Sequence, residues 1–158
     1  MTSALSVSEA TAVTGDLVAA MGQLVPQLSD SAPRPGADEL AQIVDAPNTV
    51  LLVARLASDG EEGEGGEGAG AIVGTLTLVV FRTPTGVRAL IEDVVVDEAA
   101  RGRGVGEALT YAAIDRARAV GARTVDLTSR PSREAANRLY QRLGFEARQT
   151  NVYRYTVD

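Results

Sequence analysis

Residues 101–106 read RGRGVG, between the strand-like IEDVVVDEAA and the helix-like EALTYAAIDRARAVGA. Gly102, Gly104 and Gly106 crowd the point where a helix should start. A glycine inside a helix costs about 1 kcal/mol against alanine. The spacing therefore calls for a compensating use, and binding an anion is the chemical one. Glycines let a ligand reach the backbone, and the amides of a helix's first turn point at the negative charge. Arg101 and Arg103 could add charge from the side. The plain structural alternative is a turn that needs positive φ before a helix.

Other residues could do proton chemistry. Glu92 and Asp93 stand together in IEDVVV. Tyr140 follows Asn137 by three residues, so the two share a helix face. The chain has no cysteine and no histidine. That removes the thiolate nucleophile, the disulfide framework and the commonest general base. No metal site is expected. Carboxylates, tyrosine or ordered water must carry any acid–base step.

Two familiar phosphate-binding patterns fail. The chain lacks the Gly-Lys-[Ser/Thr] ending of a P-loop. It also lacks the third glycine of a dinucleotide fingerprint, where Glu107 stands instead. What remains is Arg101-x-x-Gly104-x-Gly106.

The elements that must position these residues follow from periodicity and breakers. Residues 4–10 suit a first strand. Residues 15–28 form a helix by apolar spacing, with Thr14 as N-cap and Pro26 disturbing the last turn. Residues 29–36 are a loop and 37–45 a short helix. Strands are expected at 48–57 and 71–81, joined as a hairpin, and at 87–97. A helix at 105–121 carries Leu109, Ala112, Ala113, Ala117 and Val120 on one face and stops at Gly121. A strand at 123–129 should pair in parallel with 87–97 by a crossover. A helix at 132–144 has Ser132 as N-cap and Gly144 after its end. Residues 145–157 should give one or two closing strands. The class is α/β with a mixed sheet, antiparallel in its first half.

At 158 residues the chain is expected to form a single domain, residues 1–158. Its formal charge is −6 with a pI near 4.7, which argues against nucleic-acid affinity. Residues 59–70, DGEEGEGGEGAG, hold five carboxylates, so without them the charge is −1. The acidity belongs to one loop, whose composition reads as flexible and whose field could draw in cationic amines. No signal peptide or membrane-spanning run is seen, so a cytoplasmic protein without a membrane partner is expected.

Two stretches together resemble the Gcn5-related N-acetyltransferase (GNAT) family. VVVDEAARGRGVGEAL matches a hydrophobic-Val-Asp strand end followed by [Arg/Gln]-x-x-Gly-x-[Gly/Ala]. AANRLYQRLGFEAR looks like the family's Ala-x-x-x-Tyr-x-x-x-Gly-Phe signature. The resemblance covers residues 87–150. It implies the family fold, a mixed six- to seven-stranded sheet with a parallel pair flanking the coenzyme-binding helix. It implies transfer of acetyl from acetyl-CoA, as cosubstrate, to an amine.

The resemblance also assigns roles. The diphosphate of the coenzyme would rest on the backbone of Arg101, Gly102, Arg103, Gly104, Val105 and Gly106. Its pantetheine arm would pair with the backbone of Val94, Val95 and Val96, where one amide could stabilise the oxyanion. Tyr140 would protonate the leaving thiolate, and Asn137 would reach the pantetheine or adenylate side. IEDVVVD is similar to the same segment in glucosamine-6-phosphate acetyltransferases, where it lines the acceptor site. That favours Glu92 as the substrate-facing base, with Asp93 or a water chain as alternatives. The rest of that acceptor pocket is not recognisable here, and TSRPSRE differs.

Some uses stay open. Arg130 and Arg133 could hold an acidic group or be surface charge. Tyr153 and Tyr155 share a strand face, open to core packing, the acceptor pocket or a homodimer contact. A non-catalytic acyl-CoA-binding or regulatory module on the same fold is the alternative function.

Overall fold

A computed structural model describes residues 4–57 and 70–158. The acidic glycine-rich stretch expected to be flexible lies, apart from Gly70, outside the described residues. Backbone contacts divide the chain into two units, Met1–Leu127 and Thr128–Asp158.

The first unit runs β1 (Leu5–Glu9), α1 (Gly15–Leu28), α2 (Ala37–Val44), β2 (Thr49–Leu56), β3 (Ala71–Thr83), β4 (Gly86–Val96), a 3₁₀ turn (Glu98–Ala100), α3 (Val105–Ala119) and β5 (Val125–Asp126). The strands lie in the order β1-β2-β3-β4-β5, antiparallel except for the parallel β4–β5 pair. This is the mixed sheet expected from the sequence.

The strand count differs. Five strands form among the described residues, not six or seven, and residues 145–157 carry none. Val152, Tyr153, Tyr155 and Val157 instead lie exposed outside any helix or strand. β-Branched and aromatic composition makes a strand only where a ladder partner exists, and here it has none. β5 is likewise shorter than the expected 123–129, with two ladder pairs, Ala89–Val125 and Leu90–Asp126.

Helices cover both faces of the sheet. Leu17 and Met21 of α1, Leu40 of α2 and Leu51 and Val53 of β2 form one core cluster. On the other face α3 buries Val105, Leu109, Ala113 and Ala117. Val120 caps that helix and is exposed, unlike its expected place on the buried face. Gly121 closes it in a left-handed conformation, donating to Arg118, while Ala122 donates to Ala117; this is the Schellman pattern. Thr14 caps α1 by accepting from the Leu17 amide. The helix continues through Pro26 to Leu28, where Ser29 donates to Val25.

The second unit holds α4 (Glu134–Arg142). Gly144 ends it with φ of 99°, and Phe145 donates back to Tyr140. Ser132 is not its N-cap; Arg133 is, without a side-chain bond. Pro131 explains this. Arg133 donates to the Arg130 carbonyl across a tight turn, and proline favours the second position of such a turn. Ser132 is thereby used as the third.

Candidate active site

The glycine-rich loop begins with a turn whose amides are all engaged. The Glu98 amide donates to Gln27 Oε1 at 2.9 Å, and the Ala99 amide to Asp97 Oδ1 at 3.1 Å. Ala100 donates to the Asp97 carbonyl and Arg101 to that of Glu98. The next amides behave differently. Arg101 (φ −64°, ψ 150°) and Gly102 (φ 79°) form the middle of a tight turn that directs the Arg103 amide back toward Ala100. Among the described residues the N–H groups of Gly102 and Gly104 have no close protein acceptor. Those of Val105 and Gly106 open α3, where no intrahelical acceptor exists.

Gly102 and Gly104 have φ of 79° and 78°. A methyl group at either would meet open space, so the backbone conformation, not crowding, is what calls for glycine. Gly104 is the N-cap of α3 and supplies no side chain to cover its amides. Arg101 and Arg103 are exposed. The buried Val105 and Leu109 anchor the helix below, and Thr110 donates to the Gly106 carbonyl at 2.7 Å. The loop is an open row of amides held on a fixed base, suited to an anion.

β4 leads into this loop and contains a bulge. Thr75 faces Val95 and Thr77 faces Glu92, so Asp93 and Val94 together oppose Leu76. Asp93 takes φ of 49°, a region that aspartate visits more readily than most residues. Strict alternation along IEDVVV therefore fails. Glu92 and Asp93 are both exposed, whereas regular pleating would put them on opposite faces. Cross-strand partners share a face. Through Thr77 and Leu51, Glu92 lies on the face that α1 and α2 cover, as does Val95 through Thr75 and Val53.

The bulge sits where β4 loses its outer neighbour. The parallel ladder to β5 ends at Leu90. Asp97 donates to the Val73 carbonyl at 2.8 Å, which makes Val96–Gly74 a non-hydrogen-bonded pair. The N–H and C=O of Val96 accordingly point away from β3, while those of Val95 point toward it. Val95 is buried and Val94 and Val96 are half-buried.

In the second unit Tyr140 is buried, with its ring edge-on to Phe145 at 5.7 Å and 63°. Burial pushes its phenol above the ordinary value of 10.0, against the opposing charge of Arg133. The group is thus a proton donor across the neutral range. Asn137 donates its side-chain amide to the Arg130 carbonyl at 3.0 Å and so ties down the turn before α4.

Two features escaped the sequence. Gln27 has no local signal, because its partner is 71 positions away. Asp97 did have one: an aspartate opening DEAA is a common cap. A cleft of about 410 Å³ lies by the start of α1, lined by Glu9, Thr14, Leu17, Val53 and Arg55 among others. It includes no residue of the glycine-rich loop, of β4 or of α4. Arg55 there is already paired with Asp16 at 2.7 Å and with the Gly70 carbonyl at 3.0 Å. Among the described residues no cluster of acidic, histidine or cysteine side chains could hold a metal ion, and no helix is long and apolar enough to cross a membrane.

Known proteins share the fold. The Acetyltransferase (GNAT) family model matches residues 20–145. A transcriptional regulator from Bacillus halodurans C-125 is 29% identical over 97% of this chain and 100% of its own, with a TM-score of 0.73. A Trypanosoma brucei acetyltransferase is 26% identical over 97% and 100%, with a TM-score of 0.71. The aminoglycoside enzyme AAC(6')-Iy, solved with a CoA-S-monomethyl-acetylneamine bisubstrate analogue, shares the fold at 19% identity, 98% and 100% coverage and a TM-score of 0.72. No curated protein sequence matches the chain.

Proposed function

The chain belongs to the acetyltransferase (GNAT) family, and on that premise we propose that it moves acetyl from acetyl-CoA to a primary amine within a ternary complex. One observation carries the reading: the open amides of Gly102, Gly104, Val105 and Gly106, placed directly after four amides that all have acceptors. Such a row suits the diphosphate of the coenzyme, with Arg101 and Arg103 adding charge. The outward backbone of Val96, with Val94 beside it, offers a strand edge for the pantetheine amides, and Val95 packs beneath.

The residues divide the chemistry as follows. The amine nitrogen attacks the thioester carbonyl carbon, and an outward β4 amide donates to the oxygen that gains charge. The carbon–sulfur bond breaks as the amide bond forms. Tyr140 gives its phenolic proton to the departing sulfur and regains one from solvent. Glu92 takes the proton lost by nitrogen, directly or through water, with the neighbouring Asp93 as the alternative acceptor. Asn137 fixes the start of the helix that carries Tyr140 and leaves its side-chain oxygen for the coenzyme. The protein is read as cytoplasmic, with an amine as its partner and no metal.

A non-catalytic acyl-CoA-binding or regulatory module is the second reading. The similar Bacillus halodurans structure, named as a transcriptional regulator, is the observation on its side. The two readings separate in one experiment. Coenzyme A is titrated calorimetrically into the protein, and thiol release from acetyl-CoA is followed with aminoglycosides, hexosamine phosphates and peptide amino termini. Heat on titration and release with one amine class support the enzyme. Heat without release from any amine supports the module. No heat at millimolar coenzyme overturns both.

A further inference from the structure

We propose that Gln27 is a positioning residue for the coenzyme loop: its side chain, carried on α1, fixes the turn from which Arg101–Gly106 departs. The proposal rests on the reading of that loop as the diphosphate site, and it goes further by naming what holds the loop in shape.

The geometry is specific. The carboxamide of Gln27 is held at both ends. Its Nε2 donates to the Gln23 carbonyl one helical turn back, at 3.3 Å. Its Oε1 accepts from the Glu98 amide at 2.9 Å. Glu98 begins a three-residue 3₁₀ turn, too short to supply acceptors for its own first amides. Asp97 serves the Ala99 amide, and the Glu98 amide falls to Gln27. Gln27 therefore completes a set of bonds that no residue of the turn could complete.

The support behind Gln27 is firm. Leu17, Met21 and Leu24 of the same helix are buried. Pro26 precedes it with a fixed φ. On the other side of the turn, Ala100 is buried and Asp97 is bonded to Val73 of β3. The turn is thus clamped between α1 and the sheet. Arg101 leaves it with its own amide already engaged, so the open amides start at a defined place. Freeing the Glu98 end would let the row shift relative to the strand edge at Val96. Preorganised donors bind better than donors that must be ordered on binding.

The test uses Gln27→Met, which keeps chain length and helix propensity but has no strong acceptor. Amide exchange of Glu98 should quicken by about tenfold, with the buried face of α1 unchanged. Loss of one such bond predicts coenzyme A binding weakened by about three- to tenfold. The KM for acetyl-CoA should rise in step, and by more than kcat falls. The melting temperature should stay within about 2 °C, since an exposed bond contributes little to global stability. Unchanged Glu98 exchange or unchanged coenzyme affinity overturns the proposal. So does a lowered melting temperature with both substrates' KM and kcat affected alike, which marks a merely structural role. Failure of the unsubstituted protein to bind coenzyme A overturns the diphosphate reading, and with it the coenzyme-positioning role. Quickened Glu98 exchange in that case shows that the clamp itself is real, so the two failures are told apart.

Discussion

Gly74 of β3 lies directly beneath Val105, the first residue of α3: a methyl group on Gly74 would sit 3.0 Å from Val105 Cγ1. It would also come within 3.1 Å of the Val95 carbonyl and 3.2 Å of Leu109 Cδ1. Helix and strand are in contact at this glycine, close to the open amides on one side and to the β4 bulge on the other. Gly74→Ala should therefore destabilise the fold by about 1–3 kcal/mol, as overpacking does. Denaturant melts would measure it, and a neutral result would show that α3 can lift off the sheet without cost.

Gly104 makes a contrasting case. Its φ of 78° is strained for alanine, yet nothing occupies the space a methyl would enter. Gly104→Ala should cost about 1–2 kcal/mol through conformation alone. Gly104→Asn should cost less, because asparagine tolerates this region. If both variants also weaken coenzyme A binding in calorimetry, alanine more than asparagine, the amide row depends on this backbone shape.

Tyr140→Phe should lower turnover about tenfold or more while leaving coenzyme binding near its original value. An unchanged rate removes Tyr140 from the mechanism. The pH behaviour has a definite sign. Burial raises the Tyr140 pKa above 10.0, so the folded state holds this proton more tightly than the unfolded chain does. The associated stability is fully present below about pH 10 and is lost as pH rises through the folded value. In an alkaline ultraviolet titration, the phenolate signal absent from Tyr140→Phe should be one that develops above pH 10.

Glu92→Gln should reduce turnover with the amine by about 100-fold if Glu92 takes the proton. Asp93→Asn should instead act mainly on stability, since its part is to occupy the left-handed position in the bulge; asparagine accepts that conformation, so its effect should be small. Steady-state rates of the two variants with one amine check this. Equal losses would indicate that the two carboxylates act together, and a loss confined to Asp93→Asn would reverse the assignment.

The element order was legible in the sequence because it depends on local signals. Apolar spacing at Leu17, Met21 and Leu24 marks a helix. Gly121 and Gly144 mark helix ends wherever the chain goes next. The glycines at 102 and 104 announce positive φ before a helix, and the structure has it. The signature containing Tyr140 and the Arg101–Gly106 loop led to the family, which the match over residues 20–145 bears out.

What tertiary structure decided is everything that needs a partner from elsewhere in the chain. Residues 145–157 have strand composition, but a strand exists only when another backbone answers its hydrogen bonds. Period-two alternation placed Glu92 and Asp93 on opposite faces, and only pairing with Thr75 and Thr77 reveals the extra residue that breaks it. Nothing in the residues around Gln27 marks it out, and its part comes from the Glu98 amide at its side-chain oxygen. Local propensity is a property of neighbouring residues, so a sequence displays it. Hydrogen-bond satisfaction in a turn or at a sheet edge is a property of distant residues, and folding alone brings those together.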